Sequence, residues 1–274
     1  MACGENPKRV YGGRTQAPGT RMGNVAGYRA QWIEAQKYIS DWEAYEEALG
    51  NESNEGKEKA VPPVRDLRLD TLAAVLKGEV LVHMHCYRAD EMMTVLDMAK
   101  EFDYKVGTFH HGVEAYKIAD ELAEAGVCGA LWADWWGFKA EAYDGIQENI
   151  ALVDRPEGSC AIVHSDSEEG IQRLNQEAAK AMTRGQRAGL DITPQSAIRW
   201  VTSNAAKSLG ILEQTGTIEK GKMADIVIWN GNPFSVYARA DQVFIDGALV
   251  YDRSNPEYQP VSDFELGLQQ EVSP

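Results

Sequence analysis

Residues 79–136, EVLVHMHCYRADEMMTVLDMAKEFDYKVGTFHHGVEAYKIADELAEAGVCGALWADWW, alternate short apolar runs with longer amphipathic ones. EVLVHMHCY, YKVGTFHHG and VCGALWADWW read as strands, and ADEMMTVLDMAKEFD and VEAYKIADELAEAG as helices between them. Continuously apolar strands separated by helices indicate βαβ units and a parallel sheet buried on both faces.

The same beat extends in both directions. Upstream, DLRLDTLAAVLKG (66–78) reads as a helix closing on Gly78. Downstream, a helix through YDGIQENIALV (143–153) leads to a fourth strand, SCAIVHSD (159–166). Helices at SEEGIQRLNQEAAKAMTRG (167–185) and TPQSAIRWVTSNAAKSLG (193–210) close the series. From Gly216 the character changes: TIEKGKMADIVIW (217–229) and VFIDGALVYD (243–252) read as strand pairs with glycine turns, Asp246-Gly247 being one of them. Residues 1–30, rich in Gly, Pro, Arg and Asn, read as loop, and a helix is expected from Tyr28 to Leu49. Residues 50–59 (GNESNEGKEK) and the tail after Asp252 read as loop. The expected organisation is a loop and helical segment over 1–60, an α/β unit over 61–213 and a small β appendage over 214–274.

Composition limits the partners. Of 274 residues, 44% are hydrophobic and 25% charged, as in ordinary globular chains. Acidic residues outnumber basic ones 42 to 27, and a net charge of −15 repels phosphate backbones and anionic membranes, which argues against a nucleic-acid partner. No apolar run reaches the roughly 18 residues of a membrane span. Cys3, Cys86, Cys128 and Cys160 form no C-x-x-C pair, so neither a zinc ribbon nor a dense disulfide framework is implied.

All five histidines fall at or near the C-terminal ends of three expected strands: His83 and His85, His110 and His111, and His164 beside Asp166. A lone histidine on an apolar strand is usually a satisfied core residue; five on one rim with a carboxylate point to a site, because parallel α/β folds build sites at that end. Alternation puts His83 and His85 on one face of their strand, and likewise His164 and Asp166. Imidazole and carboxylate together suit zinc or a similar divalent ion, which makes hydroxide available near neutral pH while an adjacent Asp takes the water's proton. Neither a G-x-S-x-G elbow nor a G-x-G-x-x-G loop after a strand occurs, which argues against serine-hydrolase and dinucleotide-binding chemistry.

At these residues the chain resembles the amidohydrolase superfamily, in its imidazolonepropionase-like branch that includes metal-dependent dipeptidases. VHMHCYRADEM resembles that branch's fifth barrel strand, FHHGVEAYKIADEL its sixth and IVHSDS its eighth, while SAIRWVTSNAAKSLGI and GTIEKGKMADIVIWNGNPF resemble its closing stretch. The resemblance implies the C-terminal half of a (β/α)8 barrel followed by part of a small β-sandwich. It implies a divalent metal, zinc, as one or two ions in the intact family, held by His85, His111 and Asp166, with Asp166 also the proton shuttle. His83, His110 and His164 become candidate neighbours of those ligands; Tyr87 and Arg88 become candidate substrate contacts, Arg88 suiting a carboxylate. The implied reaction is hydrolysis of a C–N bond in a small-molecule or dipeptide amide.

Spacing fits that order. His85 to His111 is 26 residues, about one βα unit; His111 to Asp166 is 55, about two, leaving room for a seventh strand carrying Trp132–Trp136. Reading His83-Met84-His85 as the superfamily's first-strand H-x-H leaves only 81 residues to Asp166, too few for a barrel. No histidine precedes His83, and the family's bridging lysine, expected just before GENPKRVYG, has no counterpart here. Met1 is therefore expected to be an internal methionine of a longer protein or the start of a shortened reading frame. The alternative expectation is a catalytically incomplete chain, its open strand edges stabilised by self-association as a homo-oligomer.

Overall fold

The computed structural model describes residues 1–50 and 60–258; the expected loop at 51–59 and the tail from 259 lie outside them. The N-terminal stretch is more helical than its Gly and Pro content suggests. α1 (Glu5–Gly12) tolerates Pro7 because the first turn's amides have no partner inside the helix. α2 (Arg21–Gly50) begins well before Tyr28: the Thr20 hydroxyl accepts from the Gly23 amide at 2.9 Å and starts the helix there. α2 buries Trp32, Ala35 and Tyr38, and α3 (Leu67–Leu76) packs on it, capped by Asp66, whose carboxylate accepts from the Arg68 and Leu69 amides.

The βαβ series then runs as the alternation predicts. β1 (Val82–His85) is followed by α4 (Ala89–Phe102), β2 (Val106–His110), a 3-10 turn over Ala115–Ile118 with α5 (Ala119–Glu124), and β3 (Cys128–Leu131). The expected helix over 143–153 forms only at its end, as α6 (Asn149–Val153), and β4 (Ala161–Val163) comes next. The four strands pair in the order β1-β2-β3-β4, all parallel, with His85 opposite His110. Met84, Phe109, Leu131 and Val163 are buried at the sheet's centre. The tryptophans expected on a seventh strand lie beyond it: β3 ends at Leu131, and Trp132–Trp136 belong to the following loop.

α7 (Leu174–Arg187), α8 (Pro194–Arg199) and α9 (Ser203–Ser208) complete the helices, and α7 and α6 both lie against β4. β5 (Ile226–Trp229), β6 (Ala240–Ile245) and β7 (Ala248–Asp252) form a separate antiparallel sheet. Asp246 and Gly247 link β6 to β7 with φ of 48° and 79°, the left-handed pair that suits a tight hairpin. Asp225 braces that hairpin, its carboxylate accepting from the Asp246 amide and the Thr215 hydroxyl. No helix among the described residues is long and apolar enough to cross a membrane.

Met1–Cys3 run parallel to β1: the Met1 amine donates to His83 O, His85 N donates to Met1 O, and Cys3 N donates to His85 O, all within 3.0 Å. A Cys3–Cys86 disulfide fastens this segment to the end of β1, and Cys128–Cys160 links the starts of the neighbouring β3 and β4. Scattered cysteines are thus paired across the sheet.

Candidate metal centre

Each histidine reaches the rim because its strand ends there. On β1, residues alternate buried and half-buried, so His83 and His85 share the face that leads to the site. His83 is tied down through both ring nitrogens, Nδ1 to His110 Nε2 at 2.9 Å and Nε2 to Ser208 O at 3.0 Å. That pair lies toward α9, where Thr108 and Ser208 share a buried hydroxyl–hydroxyl bond. His85 instead meets Asn6 through Nε2 at 2.9 Å, and its ring centroid is 4.3 Å from that of His111.

His111 follows β2 with φ of 67°, a left-handed conformation uncommon for a side chain with a Cβ. Adjacent strand residues point to opposite faces, yet this turn brings the rings of His110 and His111 within 6.1 Å at one rim. The His111 amide is held by Ala130 O and the His164 amide by Leu131 O, which fixes both histidines relative to β3. Trp132 stacks on the His164 ring at 5.6 Å and meets the His111 ring at 4.9 Å with the planes tilted by 37°. Tyr87 stacks on the His111 ring at 5.5 Å with planes 21° apart.

His111, His164 and Asp166 each present a donor atom within 4.8 Å of the others. His111 Nδ1 lies 3.3 Å from Asp166 Oδ2 but is not aligned for a hydrogen bond, and His164 Nδ1 is 3.8 Å from Oδ1. His111 Nδ1 and His164 Nε2 are buried without any hydrogen-bond partner. Leaving such atoms unsatisfied is costly in a dry interior. His111 Nδ1, unpartnered beside the carboxylate, and a His164 nitrogen within 4.8 Å form a donor set that fits a divalent cation.

The electrostatics agree. Burial, then His85 and His164, pull His111 down to about 2; burial, then His110 and His85, take His164 to about 4. Burial and then Lys139 lower His85 to about 4. The rings are therefore neutral at pH 7, the form that binds a metal. Burial raises Asp166, partly opposed by Lys139. The grouping differs from the set implied by the resemblance in one member: the tight group contains His164, while His85 stands beside it, next to His111.

Of the candidate substrate contacts, Tyr87 faces the histidines, but Arg88 is forked onto Asp90 at 2.9 and 3.0 Å and makes no described contact with them. Two residues that the sequence pattern did not single out reach the rim. Asn6 contacts His85 and accepts from Lys139 Nζ at 3.2 Å, and that amine sits 3.8 Å over the Tyr87 ring. Their only signal lies in the GENPKRVYG stretch and in the aromatic run before Lys139.

Comparison with known proteins completes the picture. The amidohydrolase tasK of Hapsidospora irregularis is 32% identical over 257 residues, covering 92% of this chain and 25% of tasK. The solved amidohydrolase from Thermotoga maritima MSB8 is 34% identical with a TM-score of 0.77, covering 92% of this chain and 62% of that one. The imidazolonepropionase of Thermoplasma volcanium is 40% identical over 67 residues, 22% of this chain and 17% of that protein. The chain thus spans a quarter of the curated relative and less than two thirds of the solved one. The sequence profile of the amidohydrolase family matches residues 9–250, and the chain belongs to that family.

Proposed function

We propose that this chain is the metal-binding C-terminal part of a hydrolase acting on C–N bonds in small-molecule or dipeptide amides. The observation that carries the reading is the convergence of donor atoms of His111, His164 and Asp166 within 4.8 Å, with His111 Nδ1 buried, unpartnered and 3.3 Å from the Asp166 carboxylate. The parallel sheet supports half of a (β/α)8 barrel spanning 61–213, with residues 1–60 leading into it, and the antiparallel sheet supports part of a β-sandwich over 214–274. His111, His164 and Asp166 would hold the ion, with His85 the next donor in reach. A bound zinc-like ion would act as a Lewis acid on the scissile carbonyl and make hydroxide available near neutral pH.

The protein's own groups supply the rest. Asp166, half exposed and raised by burial, accepts the water's proton and returns it to the leaving nitrogen. Asn6 orients the His85 ring, and the His83–His110 pair, anchored on Ser208 O, fixes the layer behind it. A second reading, a catalytically incomplete chain stabilised by self-association, has one observation in its favour: among the described residues no further strand pairs with β4, the edge of the parallel sheet.

Elemental analysis across a size-exclusion peak of the metal-loaded chain tests the centre. One or more zinc-like ions per chain are expected, with affinity falling more than tenfold in His111→Ala and Asp166→Asn. A folded wild-type chain that retains no ion, or variants that bind as well as wild type, refutes the assignment. Dipeptide hydrolysis by the loaded peak then separates the two readings.

A further inference from the structure

The loop after β3 builds a feature the metal centre does not use. Trp135, Trp136 and Phe138 are exposed, and with Tyr87, Trp132 and Asp166 they line an open cavity of about 480 Å³ beside the histidines. Large aromatic side chains clustered at a surface mark a binding face.

The charges around it are uneven. Asp134, on the same wall, is neutralised by Lys180 at 2.8 Å. Lys139 is the opposite case. In a chain of net charge −15, its amine is half-buried and donates to Asn6 Oδ1, and among the described residues no carboxylate approaches within 4 Å. It lies 3.8 Å over the Tyr87 ring and 5.9 Å from the centroid of Phe138, both of which line the cavity. Burial lowers its pKa, opposed by Glu141, Glu5 and Asp166, none of which comes within ion-pair distance. An ammonium with a single hydrogen bond, beside an aromatic cavity, is matched by an anion attached to an apolar group.

We propose that Lys139 and the Trp135–Phe138 wall form a specificity pocket for a substrate bearing a carboxylate next to an aromatic or bulky apolar group. The carboxylate seats on Lys139 Nζ, and the apolar group lies between Trp135, Trp136 and Phe138. The susceptible C–N bond then falls toward Asp166. Arg88 is committed to Asp90, which leaves Lys139 as the cation that meets the carboxylate. The proposal takes its term "substrate" from the hydrolase reading, but the binding it describes needs no metal.

The test therefore uses the metal-free chain, stripped on a chelating resin. 3-Phenylpropionate, 3-phenylpropan-1-ol and propionate are titrated while tryptophan fluorescence is followed, with calorimetry as a second readout. 3-Phenylpropionate is expected to bind about tenfold or more tightly than the alcohol, and propionate weakly or not at all. Lys139→Met brings the acid down to the level of the alcohol and leaves the alcohol unchanged. Trp136→Ala weakens both by several fold. Both substitutions are at partly or largely exposed side chains, and unchanged thermal melts verify folding. Equal binding of acid and alcohol by wild type, an undiminished preference in Lys139→Met, or no binding of either compound overturns the proposal. Loss of the metal-centre reading alone leaves these titrations unaffected, so the two failures are distinguishable.

Discussion

Replacing Gly185 with alanine sets two effects of opposite sign against each other. Gly185 sits near the C-terminal end of α7, where alanine's higher helix propensity contributes up to about 1 kcal/mol. An added Cβ, however, lies 2.5 Å from the Ala151 Cβ on α6 and 3.0 Å from Ile192 Cγ1. Carbon atoms pack at about 3.5–4.0 Å, so the first contact is short by about 1 Å or more. Ala151 is fully buried and Ile192 nearly so, and neither is the free end of a flexible chain. Overpacking of this kind costs about 1–3 kcal/mol, which outweighs the propensity gain. Gly185→Ala is therefore expected to destabilise by roughly 1–2 kcal/mol, measured as a shift in urea midpoint at unchanged slope. Ala151→Gly in the same background opens the contact, and the pair should show a favourable coupling of about 1 kcal/mol in a double-mutant cycle. α6 and α7 back β4, so the single variant should also weaken metal binding at the proposed centre that includes His164 and Asp166. A stabilised Gly185→Ala, or strictly additive effects, would show that the two helices are not in the close contact described.

Two further predictions concern the histidines. At φ of 67°, His111→Gly should be more stable than His111→Ala by about 0.5–1 kcal/mol in the metal-free chain, since a left-handed Cβ costs about 1–2 kcal/mol and glycine's extra unfolded freedom returns part of it. Equal urea midpoints for the two would refute strain at that residue. For His164, the unfolded imidazole takes its proton near 6.5 and the folded one at about 4, so the unfolded chain binds more protons between those values and stability falls as pH falls. The interval is worth roughly 3 kcal/mol at pH 4 and nothing above pH 7. Wild type should therefore lose urea resistance between pH 7 and 4 more steeply than His164→Gln, and parallel curves would refute it.

The strands were readable because VLVHMH, VGTFHH and AIVH are continuously apolar until their polar ends, and period two then assigned a shared face to His83 and His85. The same expectation for His164 and Asp166 does not apply, because β4 ends at Val163 and both lie in the segment after it. The α1 and early α2 segments were not, because Pro7, Gly12, Gly13, Pro18 and Gly19 interrupt any period; their helices depend on end positions that tolerate these residues and on the Thr20 cap. The resemblance picked out His85, His111 and Asp166, but the nearness of His164 to His111 depends on the left-handed turn after β2, which no local pattern announces. Asn6, Lys139 and the two disulfides were beyond sequence reasoning for one reason: each joins segments that are neighbours only once the parallel sheet is in register.

Contacts of that kind also bear on how the molecule is made. The Asn6–His85 contact closes 79 residues of chain and the Lys139–Asn6 contact closes 133. Beside them the buried Glu141 carboxylate meets Arg21, across 120 residues, and packs against Gly4. Loops of that size are only modestly costlier than short ones in free energy, since each doubling adds about 0.6 kcal/mol, but contacts so distant in sequence are slow to find. Secondary structure and the local helix pairs can form before any of them. The rim of the site then takes shape only when residues 1–6 return to the loop beyond β3, so the candidate centre is completed by the slowest contacts of the fold rather than by its local ones.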